Sequence, residues 1–99
     1  MSNYLTKAIK KEWLDKLKSG NYIQTFNCFM NYNTPEGEKE QRCCLAVLAT
    51  CNINCSWDDV VPNFYDKLVV VNDNPEYIRT GKTDYSNVIP IIEQLETID

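Results

Sequence analysis

Leu5, Ile9, Trp13 and Leu17 recur every four residues, with Ala8 and Leu14 widening the stripe and Lys7, Lys11 and Lys18 lying opposite. That spacing predicts a helix with one buried face. Ser2 or Asn3 is placed to cap its start, and Ser19-Gly20 to stop it, since glycine suits the left-handed turn that follows a helix. Trp13 is the expected core anchor, because no neighbour on the stripe buries as much surface. After Gly20 the period falls from four to two. Tyr22, Gln24, Phe26, Cys28, Met30 and Tyr32 fall on one side, and Ile23, Thr25, Asn27, Phe29 and Asn31 on the other, which predicts a strand. Asn33-Thr34-Pro35-Glu36-Gly37 has turn composition, and Glu38 to Cys43 should return as a charged edge strand, closing a β-hairpin.

Cys44 to about Cys51 leaves no polar face, so it predicts a helix buried nearly all round, with Leu45, Leu48 and Ala49 at i, i+3 and i+4. Asn52 to Asp59 is expected as a loop anchored by Trp57. Val60 to Leu68 should form a short helix with Pro62 in its first turn, packing Val61, Phe64, Tyr65 and Leu68. Val69-Val70-Val71 either extends it or forms a strand, and β-branching favours the strand. Asn72-Asp73-Asn74-Pro75 is a stop, and residues 74–83 a polar loop. A last helix from Asp84 to about Ile98 carries Val88, Ile91, Ile92 and Leu95 on one face, capped by Asp84 or Ser86. Pro90 conflicts with it: in a helix interior proline costs about 3 kcal/mol, so the helix must kink there or begin with Pro90 near its first position. The expected fold is a small single α+β domain over residues 1–99: N-terminal helix, β-hairpin, central buried helix and C-terminal helix.

Composition narrows the class. At 43% hydrophobic and 24% charged the chain is globular rather than disordered. No apolar run nears the roughly 20 residues of a bilayer span. The lysine-bearing start lacks the apolar block of a signal peptide, so the expected location is the cytoplasm of the cell that makes it. Residues 1–18 hold five lysines against Glu12 and Asp15, a net of +3, while the rest carries five basic and twelve acidic residues, −7, for −4 overall. An acidic chain is a poor general nucleic-acid binder, because phosphate neutralisation supplies most of that affinity. It suits a basic protein surface better.

Cysteines 28, 43, 44, 51 and 55 come without a single histidine. Only Cys51-x3-Cys55 has knuckle spacing, so zinc is not expected, and an odd count argues against a disulfide framework. Cys44 and Cys51, flanked by Leu, Ala and Val, read as small buried hydrophobes. Asn54-Cys55-Ser56 matches a glycosylation sequon that has no meaning in a reducing compartment.

Three blocks recur in order: W-x3-L-x-SG-x-Y-x-Q from Trp13 to Gln24, then Cys43-Cys44-Leu45-x-Val47-Leu48, then Val71-Asn72-Asp73 followed by Asp84-Tyr85-x2-Val88-x3-Ile92-Glu93. This order resembles a family of small phage-encoded accessory proteins, most of which have no assigned biochemistry. The chain departs from that pattern at Ala46, where glycine is usual, in its acidic hairpin loop, and in roughly ten residues inserted after Asp73. The resemblance implies a phage or prophage origin, a small α+β architecture and an accessory role in the infected cell.

The expected function is therefore non-enzymatic binding that antagonises a host antiviral component, located in the host cytoplasm. The protein would either sequester a signalling nucleotide or occupy a host protein. A nucleotide pocket needs aromatic faces, amides and cations, and Tyr22, Gln24, Arg42, Asn72, Asp73, Arg79 and Lys82 are the candidate ligand-binding residues. As turn residues and strand-surface polars, the same side chains also have a purely structural reading. An enzyme acting on a nucleotide or phosphate substrate is the alternative. Asp58-Asp59 and Asp73 would hold Mg²⁺, or Cys43 would be the nucleophile, although only Arg42 adjoins it and no orienting base is evident. A DNA-binding role is disfavoured, since residues 84–99 carry four acids and no base. Mimicry of a nucleic-acid backbone is thin at −4. No cofactor and no catalytic residue is assigned, and exposed strand edges with a lysine-faced helix would permit a homo-oligomer.

Overall fold

The computed structural model describes residues 5–53, 55–62 and 64–99. Its elements are α1 (Lys7–Lys18), β1 (Tyr22–Gln24), β2 (Glu40–Arg42), α2 (Cys44–Leu48), α3 (Trp57–Val60), α4 (Tyr65–Asn72), α5 (Pro75–Arg79) and α6 (Ile89–Glu93). The small α+β class read from the sequence holds.

The amphipathic stripe makes α1 as expected, but its cap is Thr6, whose hydroxyl accepts the Ile9 N–H at 3.1 Å. The Ser2 and Asn3 alternatives lie outside the described residues. Gly20 at φ 77° takes the left-handed turn that ends the helix. Trp13 and Leu17 enter the core, and the Trp13 indole donates to the Cys44 carbonyl at 2.9 Å. That bond ties α1 to α2, where Cys44 to Leu48 are all buried. Further carbonyls in and after α2 are met from outside: Ala46 by the Arg42 guanidinium at 3.0 Å and Thr50 by the Lys16 ammonium at 2.8 Å. An apolar helix buried on every side thus keeps its polar backbone satisfied.

The expected strand over residues 22–32 is not one strand. β1 ends at Gln24, and residues 25–28 turn the chain through Asn27, at φ 60°. Asparagine is among the few non-glycine residues that take that conformation readily, and here Asp73 Oδ1 accepts the Asn27 N–H at 2.9 Å. The consequence is topological. β1 pairs with β2 in parallel, Tyr22 opposite Glu40 and Gln24 opposite Arg42, rather than as the outer part of a hairpin. Only the segment nearest the turn keeps the hairpin sense, in a single antiparallel bridge of Met30 with Arg42 flanked by Asn31 N to Gln41 O and Cys43 N to Phe29 O. β2 is therefore the middle of three segments.

Trp57 opens α3 instead of anchoring a loop, and Val69-Val70-Val71 continues α4 instead of forming a strand. Their β-branching carries only a modest helix cost, offset by the packing of Leu68 and Val71 on the core. The polar loop expected at 74–83 contains α5, whose start is built by Pro75 in the first turn and by Asn74 Oδ1, which accepts the N–H groups of Glu76 and Tyr77. The conflict at Pro90 resolves because α6 begins at Ile89, where a missing N–H costs nothing. Neither Asp84 nor Ser86 caps α6; Val88 holds that position without a side-chain bond. Lys10 Nζ meets the far end, donating to the Glu93 and Leu95 carbonyls at 2.7 Å each. No helix among the described residues is long and apolar enough to cross a membrane.

Candidate functional site

Polar residues drawn from the first and third sequence blocks meet in one buried network. Gln24 Nε2 donates to Asn72 Oδ1 at 2.8 Å and to Asn87 Oδ1 at 2.9 Å, while Gln24 Oε1 accepts the Tyr85 N–H at 2.9 Å. Asn72 Nδ2 donates onward to the Thr25 carbonyl and to Asp73 Oδ1, each at 2.9 Å. Asn87 Nδ2 reaches the Val71 carbonyl at 2.7 Å. Tyr85, itself at φ 65°, donates its hydroxyl to the Arg42 carbonyl at 2.7 Å. Gln24 and Asn72 are almost wholly enclosed, at 2% and 1% exposure, and no buried side-chain polar atom among the described residues lacks a partner. A fully satisfied buried network specifies one arrangement of the segments it joins.

Beside this network lies a cleft of about 400 Å³. Phe29 and Trp57 form its aromatic wall with ring centroids 5.3 Å apart, and Tyr65 meets Trp57 edge-on at 6.1 Å. Cys28, Cys43 and Val69 add apolar surface, and Asn72 and Asp73 supply polar groups. Asp73 Oδ1 already accepts two hydrogen bonds, whereas Oδ2 has no hydrogen-bond partner among the described residues. The described residues lining the cleft include neither lysine nor arginine.

Of the seven residues expected to bind a ligand, only Asn72 and Asp73 line this cleft. Gln24 lies in the network. Arg42 bonds Glu40 and the Ala46 carbonyl. Tyr22 is half-buried beside Leu17 and Ile89 in a separate depression. Arg79 is exposed and paired with Glu76 at 3.0 Å, and Lys82 is exposed on the loop after α5. The set does not converge. Sequence reasoning missed Cys28, Phe29, Trp57 and Val69 as lining, because they come from separate stretches of chain that only the fold brings together.

Two thiols of the cleft, Cys43 and Cys44, are poor nucleophiles. Burial pushes Cys43 above its ordinary value, outweighing the Ala46 and Leu45 N–H groups at the start of α2 that favour thiolate. Burial raises Cys44 well above its ordinary value. Both are held as neutral thiols at pH 7. Among the described residues no three of Cys, Asp and Glu gather to hold a metal ion. Compared with protein-family models, curated proteins and solved structures, the chain matches none.

Proposed function

We propose that this chain is a phage-encoded, non-enzymatic binding protein that antagonises a host antiviral component in the host cytoplasm by occupying a host protein. The observation that carries the reading is the cleft: apolar and aromatic, open to solvent, with one accessible carboxylate and no cation in its described lining. A nucleotide phosphate would find no positive charge there, and two anions would repel at Asp73. An apolar or basic protein surface meets it without that penalty. The phage setting rests on the resemblance of the three-block motif order to phage accessory proteins.

The test compares the natural chain with Val69→Arg, which fills the mouth of the cleft from a position that is 41% exposed and so leaves the core intact. Both are used as bait in host lysate, and a panel of cyclic nucleotides is run by thermal shift. The expected result is a host protein captured by the natural chain, lost with Val69→Arg, and no nucleotide shift. Capture that ignores Val69→Arg would overturn the reading, and a strong nucleotide shift would replace it with sequestration.

A further inference from the structure

The outer face of α4 carries an ordered pattern. Asp66, Val69 and Val70 of α4 and Asp73, the residue that caps its C-terminal end, stand at i, i+3, i+4 and i+7, which aligns them along one side. Asp66, Val69 and Val70 are exposed, Val70 at 70%, and Asp73 is partly so. Val69 is also a wall of the cleft, and Asp73 closes its polar end. The stripe therefore reads acid, apolar, apolar, acid, and its apolar centre opens into a hollow walled by Phe29 and Trp57. Exposed Asp58 and Asp59 follow Trp57 on α3, so residues 58–76 hold five carboxylates against Lys67 alone. Neither exposed valine belongs to the core or to the residues packed against it.

We infer that the stripe and cleft together bind a basic amphipathic segment of a partner protein, presenting two cations with an apolar side chain between them. This rests on the cleft being the contact surface of the proposed function. Seven residues of helix span about 10 Å, so the matching segment is a helix with lysine or arginine seven residues apart. Its apolar side chain fills the hollow against Val69, Phe29 and Trp57, and its cations pair with Asp66 and with Asp73 Oδ2, which has no hydrogen-bond partner among the described residues. A second copy of this chain is a weaker fit: Lys11 and Lys18 of α1 have the right spacing but are already paired with Asp15 and Glu93.

The probe is a short helical peptide carrying two lysines seven apart around a Leu-Leu pair, titrated by fluorescence anisotropy, with a version in which norleucine replaces both lysines. The lysine peptide is expected to bind the natural chain. Two exposed ion pairs amount to roughly tenfold in affinity, so that loss is expected for the norleucine peptide and for the Asp66→Asn/Asp73→Asn double variant, in which the new amide oxygen at position 73 still accepts the Asn27 N–H. Melting temperatures of the variants establish that they fold. No binding of the lysine peptide, or equal binding of the norleucine peptide, overturns the inference. Concentration-dependent self-association of the natural chain that is lost with Val69→Arg also overturns it, in favour of a second copy. If lysate capture still depends on Val69 in any of these cases, the occupancy reading survives alone; if capture and peptide binding both ignore Val69→Arg, both fail.

Discussion

Replacing Gln24 by methionine keeps the volume of the side chain and removes its amide. Three hydrogen bonds disappear, but they are not equivalent. Tyr85 N is the backbone donor of a residue at 1% exposure, and Asn72 Oδ1 belongs to another at 1%; each is left buried without a partner. Asn87 is half-buried, so water can replace what it loses. A stranded buried polar group costs about 1–3 kcal/mol, so two predict a loss of about 2–6 kcal/mol, with little added for cavity formation. At the lower-middle of that range, about 3 kcal/mol, a domain of this size should melt about 12–24 °C lower. Urea denaturation followed by circular dichroism measures the loss directly. A change under about 1 kcal/mol would refute the account, because it would mean the network does not hold segments 22–28, 71–73 and 85–87 together. If such a stable variant also lost its lysate partner, Gln24 would be a binding residue after all.

Trp13→Ala and Leu48→Ala each empty a fully buried position and should each cost about 3 kcal/mol or more, read by thermal or chemical denaturation; parent-like melting of both would place the core elsewhere. Burial first, then the nearby Glu12, pushes the Cys51 thiol up to about 11, above its unfolded value, so the folded chain holds that proton longer. Stability should therefore be level below about pH 8.5 and decline as pH rises towards 11, with Cys51→Ala flattening the decline in urea midpoints; a parent midpoint unchanged across that range contradicts this.

What the sequence displayed and what it hid divide along the range of the interactions. α1 was legible because four-residue periodicity is a local signature of one buried face. α2 was legible because a run with no polar position has nowhere to go but the interior. The end of the first strand was not, because the turn at Asn27 is braced by Asp73, 46 residues away, and a single asparagine inside an alternating run gives little warning of it. Parallel pairing of β1 with β2 follows from that turn and leaves no mark in either strand. α5 was readable in principle, since Asn74-Pro75-Glu76 has a helix start written into it; taking Pro75 as a breaker obscured it. The cleft was the least legible feature. Its walls come from residues 27–29, 43–45, 57 and 69–73, four stretches whose only shared property is where the fold puts them. The polar residues that drew attention as ligand contacts, Gln24 and Asn72, turned out to be the internal bonding that brings those stretches together.

The short sheet bears on how anything can attach to this molecule. β2 has β1 along one flank and residues 29–31 along the other, and the Gln24 N–H on the outer side of β1 is taken by the Thr83 carbonyl at 3.0 Å. β2 thus offers a visiting peptide no bare flank to anneal to by main-chain hydrogen bonds, a mode that tolerates almost any side-chain content. Recognition at β2 is pushed onto shape and charge of individual groups, so discrimination between targets there should be steep.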